Sequence, residues 1–492
     1  MPALDLLVRN VRVIRPHGAE MPGTDIGVAS GRIARLEPGI PPGEAATVVD
    51  GRGRLAFPGA VDAHQHWGIY RPLSEDARSE SRACAQGGVT TGITYIRTGQ
   101  YYLNQGGPYQ EFLPRVLDAA QGRSYVDYAF HVAPMMSRHI EEVPLLIEQF
   151  GITSFKIFMF YGGFGLHGAS SSQREFLMLP DGEAYDLAHF EFVMRGIQAA
   201  REQLPGLAGD ISLSLHCETA EIMQAYTALV RREGRLTGLE AYSAARPPHS
   251  EGLAVTIASY LAHETGLPAI NLLHLSSRKA LEAALIMAGA FPQVDFRREV
   301  TIGHLLADFR TASGIGGKVN PPLRGREDVE ALWGHVLAGD VDWVVSDHAC
   351  CRDEMKFGEP RDDVFAAKSG FGGTEYLLPG LISEGRGRGL SYQQVAQLTA
   401  WNPARRFGLH TKGTIAPGYD ADFALVDPAA SWVVRAGESE SAQEYTPFEG
   451  FEMSARVTDT FVRGPHVLRD GSVQGPPRGR YLRRPAGQPP SS

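Results

Sequence analysis

The chain has 492 residues, of which 43% are hydrophobic and 21% are charged, and its formal net charge is −9. This length is sufficient for one large barrel with a smaller domain, or for several ordinary domains. This net negative charge does not favour binding to nucleic acid or to an anionic membrane surface, so we expect neither as a partner.

The start of the chain and its cysteines indicate the compartment. The first residues, MPALDLLVRNVRVIRPHG, alternate as a strand does and lack the charged and apolar regions of a signal peptide. No apolar run approaches the roughly 18 residues of a membrane span. The four cysteines form no spaced disulfide framework: Cys84, Cys217, Cys350 and Cys351. We therefore expect a cytoplasmic protein with reduced thiols.

Residues 55–411 repeat a β-rich run followed by a helical pattern. The β-rich runs begin at residues 55, 91, 124, 152, 210, 268, 293 and 341. Helical patterns such as SRKALEAALIMAG lie between most of them. Eight such units predict an α/β fold in the form of a (β/α)₈ TIM barrel.

Both ends of the chain depart from this repeat. Residues 1–54 and 412–473 contain short strands with turn signals, which predict one small β-sandwich domain built from both chain ends. Residues 474–492 are rich in proline and arginine, and we expect an arm or a disordered tail there.

Polar residues recur at the carboxyl ends of the predicted strands, where TIM barrels place their chemistry. His64 and His66 are two residues apart in a strand, so their side chains share a face. Taken alone, such a pair is more often an ordinary surface feature, and each later residue also has an ordinary explanation. Six together predict one site: His64, His66, Lys156, His216, His274 and Asp347.

The lysine determines which kind of metal centre this would be. Imidazoles and a carboxylate are usual ligands of divalent first-row metals, whereas an ammonium group cannot coordinate a cation. Carbon dioxide would convert Lys156 into a carbamate, and the two oxygens of that group could bridge two metals. Two metals about 3.5–4 Å apart could hold a hydroxide that is reactive near neutral pH. We therefore expect two divalent ions, with zinc as the leading candidate, and an N6-carboxylysine at Lys156.

Seven segments carry a family resemblance: DAHQH, SFKIFMFY, LHCE, LLHLSS, VNPPLR, SDHACC and NPARRFGL with KGTIAPGYDADFALVD. Through them the chain resembles the cyclic amidohydrolases, the dihydropyrimidinase (hydantoinase), allantoinase and dihydroorotase group of the amidohydrolase superfamily. The resemblance extends to about residue 430 and is closest to hydantoinases. It implies that one metal is held by His64, His66, Lys156 and Asp347, and the other by Lys156, His216 and His274.

The resemblance also implies a reaction. A hydroxide between the metals attacks the carbonyl carbon of a cyclic amide, such as a hydantoin, a dihydropyrimidine or a related imide or ureide. Tyr161 lies five residues after Lys156, as in hydantoinases, where such a tyrosine stabilises the oxyanion. Asp347 takes a proton from the hydroxide and passes it to the leaving nitrogen. Relatives of this kind also imply a homodimer or homotetramer.

The substrate itself stays open at this point. Trp67 follows the histidine pair, near where dihydroorotases carry an arginine, whereas Asn320 is more typical of dihydroorotases than of hydantoinases. The segment FGGTE, with Gly372, favours allantoinases and dihydroorotases. Arg97 either binds an anionic substituent or forms a salt bridge with a loop carboxylate. We predict Asn320, Trp67, Arg97 and Gly372 as substrate-binding residues; allantoinase, dihydroorotase and noncyclic amide or carbamate hydrolysis remain alternatives.

Aromatic residues in the loops that follow the strands add a rim to this site. They would suit an apolar or aryl substituent, or they pack on one another: Trp67, Tyr70, Tyr101, Tyr102, Phe160, Phe164 and Phe371. Glycines in FYGGFGLHG would let the loop after Lys156 move as a lid, in which His167 is a hydrogen-bonding residue. Some relatives of dihydropyrimidinase have lost metal ligands and act in assembly or signalling, but the complete ligand set here favours an enzyme.

Overall fold

The computed structural model of the chain describes residues 2–162 and 172–487. The strands in these ranges fall into three groups along the chain. The first group is β1 (Leu4–Val13), β2 (Met21–Ala29), β3 (Arg32–Glu37), β4 (Ala45–Asp50) and β5 (Leu55–Pro58). The second group is β6 (Ala60–Gln65), β7 (Val89–Ile96), β8 (Asp127–Val132), β9 (Ser154–Phe158), β10 (Ser212–His216), β11 (Ala269–Leu272), β12 (Asp295–Thr301) and β13 (Trp343–Val345). The third group is β14 (Phe423–Asp427), β15 (Trp432–Val433), β16 (Glu452–Met453), β17 (Arg456–Phe461), β18 (His466–Arg469) and β19 (Ser472–Val473).

The α-helices of the described ranges lie between the first barrel strand and β14. They are α1 (Leu73–Gln86), α2 (Tyr109–Ala120), α3 (Ser137–Glu141), α4 (Val143–Phe150), α5 (Gln173–Leu177), α6 (Leu187–Gln203), α7 (Ala220–Glu233), α8 (Gly238–Ala245), α9 (Pro248–Thr265), α10 (Arg278–Ala290), α11 (Ile302–Leu306), α12 (Arg326–Ala338), α13 (Asp353–Lys356), α14 (Leu377–Gly387), α15 (Tyr392–Ala396) and α16 (Asn402–Arg406). None of these helices is both long enough and apolar enough to cross a lipid bilayer.

Strands β6 to β13 form the central sheet of the molecule, in chain order and parallel throughout. A parallel bridge between Gln65 and His348 joins the first strand to the segment after the last one and so closes the sheet into a barrel. Every strand except β12 is buried along its whole length. Such continuous burial is typical of parallel sheets that helices cover. The predicted TIM barrel is confirmed.

The helices around the barrel begin and end where their terminal residues satisfy the backbone. The hydroxyl of Ser277 accepts a hydrogen bond from the backbone N–H of Ala280 (3.2 Å) and so caps the start of α10. Helix α9 ends at Thr265 and is followed by Gly266, whose φ of +70° lies in the left-handed region that favours glycine. Buried residues of strands and helices belong to one continuous apolar core, which fixes the barrel wall in place.

A second sheet takes its strands from both ends of the chain. Its nine strands follow the order β19-β18-β17-β14-β5-β1-β2-β3, and β4 pairs with β1. The two chain ends meet where β5 pairs antiparallel with β14, with Phe57 opposite Ala424. This sheet has an apolar core of its own, which includes Val8, Ile26 and Phe461. The small β-domain built from both chain ends is therefore confirmed.

Gly59 separates two strands that the sequence pattern presents as one run over 55–64. Strand β5, before it, belongs to the small domain, and β6, after it, is the first strand of the barrel. A Cβ atom at Gly59 would lie only 2.2 Å from the side-chain oxygen of Thr90. Because glycine alone permits this close approach, it marks the crossing between the sheets. We propose Gly59 as the boundary between the two units.

The proline- and arginine-rich end of the chain packs on the barrel from Gly479 onwards. The N–H of Gly479 donates to the carbonyl of Ser124 (2.8 Å), just before β8. The side chain of Arg484 is buried and donates to the hydroxyl of Ser154 (2.7 Å), at the start of β9. Residues 479–487 therefore form the expected arm rather than a disordered tail, and the last five residues lie outside the described ranges.

Candidate active site

The six predicted metal ligands lie at the carboxyl ends of five barrel strands. His64 and His66 are at the end of β6, Lys156 lies in β9 and His216 ends β10, while His274 and Asp347 lie two residues beyond β11 and β13. The carboxyl ends of parallel strands meet at one mouth of the barrel. A cavity at this mouth is lined by five of the six: His66, Lys156, His216, His274 and Asp347.

Two of these residues have an uncommon backbone conformation. The φ angle is +36° at His274 and +56° at Asp347, both in the left-handed region. Residues with a Cβ atom adopt this region at an energetic cost, and such conformations are concentrated at functional sites. The turns after β11 and β13 therefore direct these two side chains into the cavity, although the left-handed backbone conformation there costs energy.

Three ligand atoms lie close enough together to hold one cation. The Nε2 atoms of His64 and His66 are each 3.1 Å from Oδ1 of Asp347, and all three atoms lie within 4.8 Å of one another. The Nζ atom of Lys156 is 3.0 Å from Nε2 of His64. Two imidazoles and a carboxylate are a suitable donor set for a divalent metal, so these residues fit the ion.

Carboxylates behind two of the histidines determine which ring nitrogen faces the cavity. Nδ1 of His64 hydrogen-bonds Oε1 of Glu299 (2.7 Å), and Nε2 of His216 hydrogen-bonds Oε2 of Glu218 (2.7 Å). Glu218 also accepts two hydrogen bonds from Arg246. Since Nε2 of His216 donates to the Glu218 carboxylate, its Nδ1 presents a lone pair, as in metal-binding histidines, while the hydrogen bond to Glu299 holds the ring of His64 in place.

The remaining two histidines differ in what lies behind them. Nδ1 of His66 hydrogen-bonds the hydroxyl of Tyr102. The Nδ1 atom of His274 is buried and has no hydrogen-bond partner among the residues that the structure describes. A buried polar atom without a partner is costly, and it is a sign of a missing ion or water.

Burial keeps the four imidazoles uncharged. It lowers the pKa of His216 to about 4 and those of His64, His66 and His274 well below the ordinary value. A neutral imidazole has the free lone pair that a metal requires. The electrostatics of the cavity therefore favour ligation near neutral pH.

Burial also lowers the pKa of Lys156 to about 7, although the nearby carboxylates of Asp347 and Glu299 oppose this shift. At neutral pH a large fraction of this amine is therefore unprotonated, and only the free amine can react with carbon dioxide. The same burial raises the pKa of Glu299 to about 8, with a smaller contribution from the charge of Asp347.

Two further predicted residues line the same cavity, Tyr161 and Asn320. The hydroxyl oxygen of Tyr161 accepts a hydrogen bond from Nη2 of Arg97 (3.2 Å). The side-chain oxygen of Asn320 accepts one from the hydroxyl of Tyr242. The amide nitrogen of Asn320 is buried without a partner in the described ranges, so its N–H groups are available to a ligand.

The structure does not bring the other three predicted substrate-binding residues into the cavity wall. Trp67 is buried and packs against Tyr128, with 6.3 Å between ring centroids. The backbone N–H of Gly372 donates to the side chain of Gln443 (2.8 Å) behind the site. Arg97 is 1% exposed and lies behind the tyrosines of the wall.

Only some of the aromatic residues predicted for the rim line the cavity. Three of its members line the cavity: Tyr70, Tyr102 and Phe160. Phe371 instead packs on Phe448 in a separate apolar cluster, with 5.9 Å between ring centroids. Phe164, His167 and most of the glycines of the expected lid lie in residues 163–171, outside the described ranges.

Sequence reasoning missed two groups that orient the ligands, Glu218 and Glu299, and it placed Tyr102 only in the aromatic rim. Two signals were present. Glu218 follows His216 by two residues in LHCE, and Glu299 is an acidic residue inside the strand run QVDFRREVTI. The signal at Glu299 does not identify its partner, because Glu299 and His64 are 235 residues apart in sequence.

A second acidic group near the mouth needs no cation. Asp76, Glu80 and Cys350 have donor atoms close enough to hold an ion. However, Nη1 of Arg71 already lies 2.9 Å from Asp76 and 3.5 Å from Glu80. The guanidinium therefore supplies the positive charge that these two carboxylates require.

Known proteins share this architecture and its arrangement of segments. Residues 55–467 match the family described as Amidohydrolase family. The chain is 36% identical to the allantoinase of Rubrobacter xylanophilus, over 98% of each chain. It is 28% identical to the structure of D-hydantoinase (dihydropyrimidinase) from Thermus sp., with a TM-score of 0.81 over 98% of this chain and 99% of that one. The structure of L-hydantoinase (dihydropyrimidinase) from Arthrobacter aurescens is 27% identical, with a TM-score of 0.82 over 97% and 99% of the two chains.

The family match covers most of the chain, including all the strand ends that carry the cavity residues. The allantoinase covers 98% of the chain, and the two hydantoinase structures have the same fold. The chain belongs to the amidohydrolase family, a family of metal-dependent hydrolases.

Proposed function

We propose that this protein is a metal-dependent hydrolase that opens a cyclic ureide, with allantoin as the first substrate. The observation that carries the proposal is the convergence of four imidazoles, a lysine amine and a carboxylate at one mouth of the barrel, where all but His64 line the cavity and His64 contacts Lys156 and Asp347. The allantoinase of Rubrobacter xylanophilus, similar over the whole chain, supports the choice of allantoin.

We assign the metal ligands as the family resemblance implies. His64, His66 and Asp347 would hold one ion, His216 and His274 would hold the other, and Lys156, as a carbamate, would contribute to both sites. Zinc suits a site of imidazoles and carboxylates. When bound, two divalent ions polarise the amide carbonyl and lower the pKa of water towards neutrality. A homodimer or homotetramer remains a prediction from the family resemblance.

Asp347 moves the proton in this proposal. Its carboxylate is only 8% exposed, and one of its oxygens lies 3.1 Å from both His64 and His66. It takes a proton from the attacking water and delivers it to the nitrogen of the ring amide as the C–N bond breaks. Water is thus added across one amide bond, and the ring opens to a carboxylate and a free ureide nitrogen.

Tyr161 and Asn320 hold the substrate in this proposal. The hydroxyl of Tyr161 donates to the oxygen of the scissile carbonyl, on which negative charge develops. The unpartnered N–H groups of Asn320 donate to a second carbonyl of the ring. A cyclic ureide offers two ring carbonyls, so it satisfies both donors at once.

Hydantoin is the second candidate, because allantoin is itself a hydantoin ring that carries a ureido group. The place of Tyr161 five residues after Lys156 and the fold shared with hydantoinase structures favour this ring. The two candidates therefore differ only in the substituent that the pocket accepts.

A hydrolysis assay on zinc-loaded protein tests the proposal. Allantoin, hydantoin, dihydrouracil, dihydroorotate and a noncyclic amide are offered in parallel, with the Asp347→Asn variant as the control. We expect ring opening of allantoin, slower opening of hydantoin and no turnover in Asp347→Asn. A metal-loaded protein that opens none of the rings, or a fully active Asp347→Asn variant, would contradict the proposal.

A further inference from the structure

Arg97 follows β7 and is buried in a cage of aromatic rings. Its guanidinium carbon lies 5.0 Å from the ring centroid of Tyr102, 5.1 Å from that of Tyr161 and 4.9 Å from that of Phe176. Only 1% of its surface is exposed. It is therefore screened from the cavity by the two tyrosines that line the wall.

No carboxylate within the described ranges forms an ion pair with Arg97. Two other buried arginines near the site do have one, since Arg246 pairs with Glu218 (2.6 Å) and Arg324 pairs with Glu251 (2.5 Å). Buried Arg484, at the opposite end of the barrel, bonds a hydroxyl and a backbone carbonyl instead. A buried cation without an acidic partner is costly, so its presence beside a reaction site points to a role other than packing.

The polar contacts of Arg97 are few and have a fixed direction. Nη1 donates to the carbonyl of Thr98 (2.8 Å), Nη2 donates to the hydroxyl oxygen of Tyr161 (3.2 Å), and Nε is buried without a partner among the described residues. A guanidinium has donors only. The oxygen of Tyr161 must therefore accept this hydrogen bond.

The direction of this bond determines what the hydroxyl of Tyr161 can do. Its oxygen is occupied by Arg97, and its hydrogen has no acceptor in the parts of the chain that are described. Tyr161 lines the cavity together with Lys156 and Asp347, so the hydrogen is left to an acceptor in that space. A positive charge behind the oxygen also strengthens the O–H group as a donor.

We propose that Arg97 is a positioning residue that fixes the hydroxyl of Tyr161 as a hydrogen-bond donor towards the substrate carbonyl. This inference rests on the proposed function, and it replaces direct binding of a substrate anion by Arg97. Arg97 would act in the transition state through Tyr161, without touching the substrate. Its effect should therefore appear in kcat and vanish when the hydroxyl is removed.

A double-mutant cycle tests this inference on zinc-loaded, full-length protein, with whichever cyclic ureide the wild type opens. The variants are Tyr161→Phe, Arg97→Met, the double variant and Arg97→Lys. We expect Tyr161→Phe to lower kcat by about 10²–10³ and Arg97→Met to lower it by about 10–100-fold, as is usual for an outer partner. The double variant should be no slower than Tyr161→Phe, because both changes remove the same interaction. Arg97→Lys keeps a charged donor and should recover part of the loss.

Controls separate this role from a structural one. Metal content and the thermal midpoint are measured on every variant, and the cycle is built on Arg97→Lys if Arg97→Met does not fold. Arg386 in α14 is a matched control, since it stacks on Tyr392 at 4.3 Å and donates to a backbone carbonyl outside the cavity. Arg386→Met should leave kcat unchanged.

A readout independent of turnover is the ¹³C chemical shift of the Tyr161 Cζ atom. The signal is identified by its absence in Tyr161→Phe, and it should move in Arg97→Met while the zinc content stays the same. A signal that does not move in Arg97→Met would overturn the inference. So would a double variant in which the separate losses of kcat from Tyr161→Phe and Arg97→Met multiply. A rise in KM confined to an anionic substrate such as dihydroorotate would overturn it too, in favour of direct binding. An inactive wild type would instead count against the proposed function, and the chemical shift would still decide the role of Arg97.

Discussion

At the amino-terminal end of the barrel, the buried ammonium of Lys412 lies between the carboxylates of Asp127, Asp420 and Asp422. At the carboxyl-terminal end, Lys156 and Arg97 are just as deeply buried, but neither forms an ion pair with a carboxylate in the described ranges. The buried amine of Lys412 is thus compensated by carboxylates, whereas Lys156 and Arg97 have no such partner in the described ranges.

The difference separates stability from chemistry within one barrel. The ion pairs of Lys412 connect the barrel to the segment before β14. The neighbouring carboxylates raise the pKa of Lys412 despite its complete burial. At the other end, the same burial lowers the pKa of Lys156 to about 7, which leaves a reactive amine. In TIM barrels the carboxyl-terminal end carries the reaction and the amino-terminal end carries stability.

The largest effect is expected from Lys156→Arg. The variant keeps a positive charge but cannot form a carbamate, so hydrolysis should fall to the background rate and bound metal should fall with it. Turnover and metal content are measured on the same preparations. Lys368→Arg serves as the control, because Lys368 also lies near the mouth and bonds the hydroxyl of Tyr101 (2.9 Å). Substantial turnover in Lys156→Arg would make the lysine a structural residue.

Lys412→Met should lower the free energy of unfolding and leave the bound metal unchanged. The change leaves buried carboxylates without their cation, which costs about 3–5 kcal/mol of the free energy of unfolding. Denaturant unfolding measures this loss, and the metal content of the folded fraction should not change. Arg361→Met breaks an exposed pair with Asp353 and should cost about 0–1 kcal/mol. A loss in Lys412→Met no larger than in this control would remove the distinction between the two ends.

A smaller effect is expected from Glu299→Gln. The amide keeps the shape of the side chain but weakens its hold on Nδ1 of His64, so metal affinity should fall by about 10–100-fold. Competition with a chelator measures the affinity. The buried Glu375, which bonds Ser439 (2.7 Å), is a matched control, and Glu375→Gln should bind metal as the wild type does. Equal affinities in all three proteins would mean that Glu299 only accepts hydrogen bonds from the indole N–H of Trp343 and the backbone N–H of His274.

The sequence was sufficient to predict the barrel and its six converging residues for a physical reason. Parallel strands buried on both sides appear as continuous apolar runs, and the residues at their carboxyl ends must meet at one mouth. His216 and His274, for example, are 58 residues apart in sequence, yet their rings lie 4.3 Å apart between centroids.

The rest depends on contacts that no local pattern encodes. Trp67 follows His66 directly but faces Tyr128, because the chain turns away from the cavity after the end of β6. The arm after Gly479 is polar in composition, yet Arg484 is buried because a backbone carbonyl and the hydroxyl of Ser154 accept its hydrogen bonds. Such outcomes depend on partners that are distant in sequence, as Ser154 is from Arg484 by 330 residues.

In the proposed function, the carboxyl-terminal mouth of the barrel binds two metal ions. Elemental analysis of protein purified without chelator tests it most directly, with cyclic-ureide turnover measured on the same sample. We expect about two divalent ions per chain, most of them zinc, and loss of turnover when a chelator removes them. A reproducible metal content near zero in protein that is still active would contradict the account.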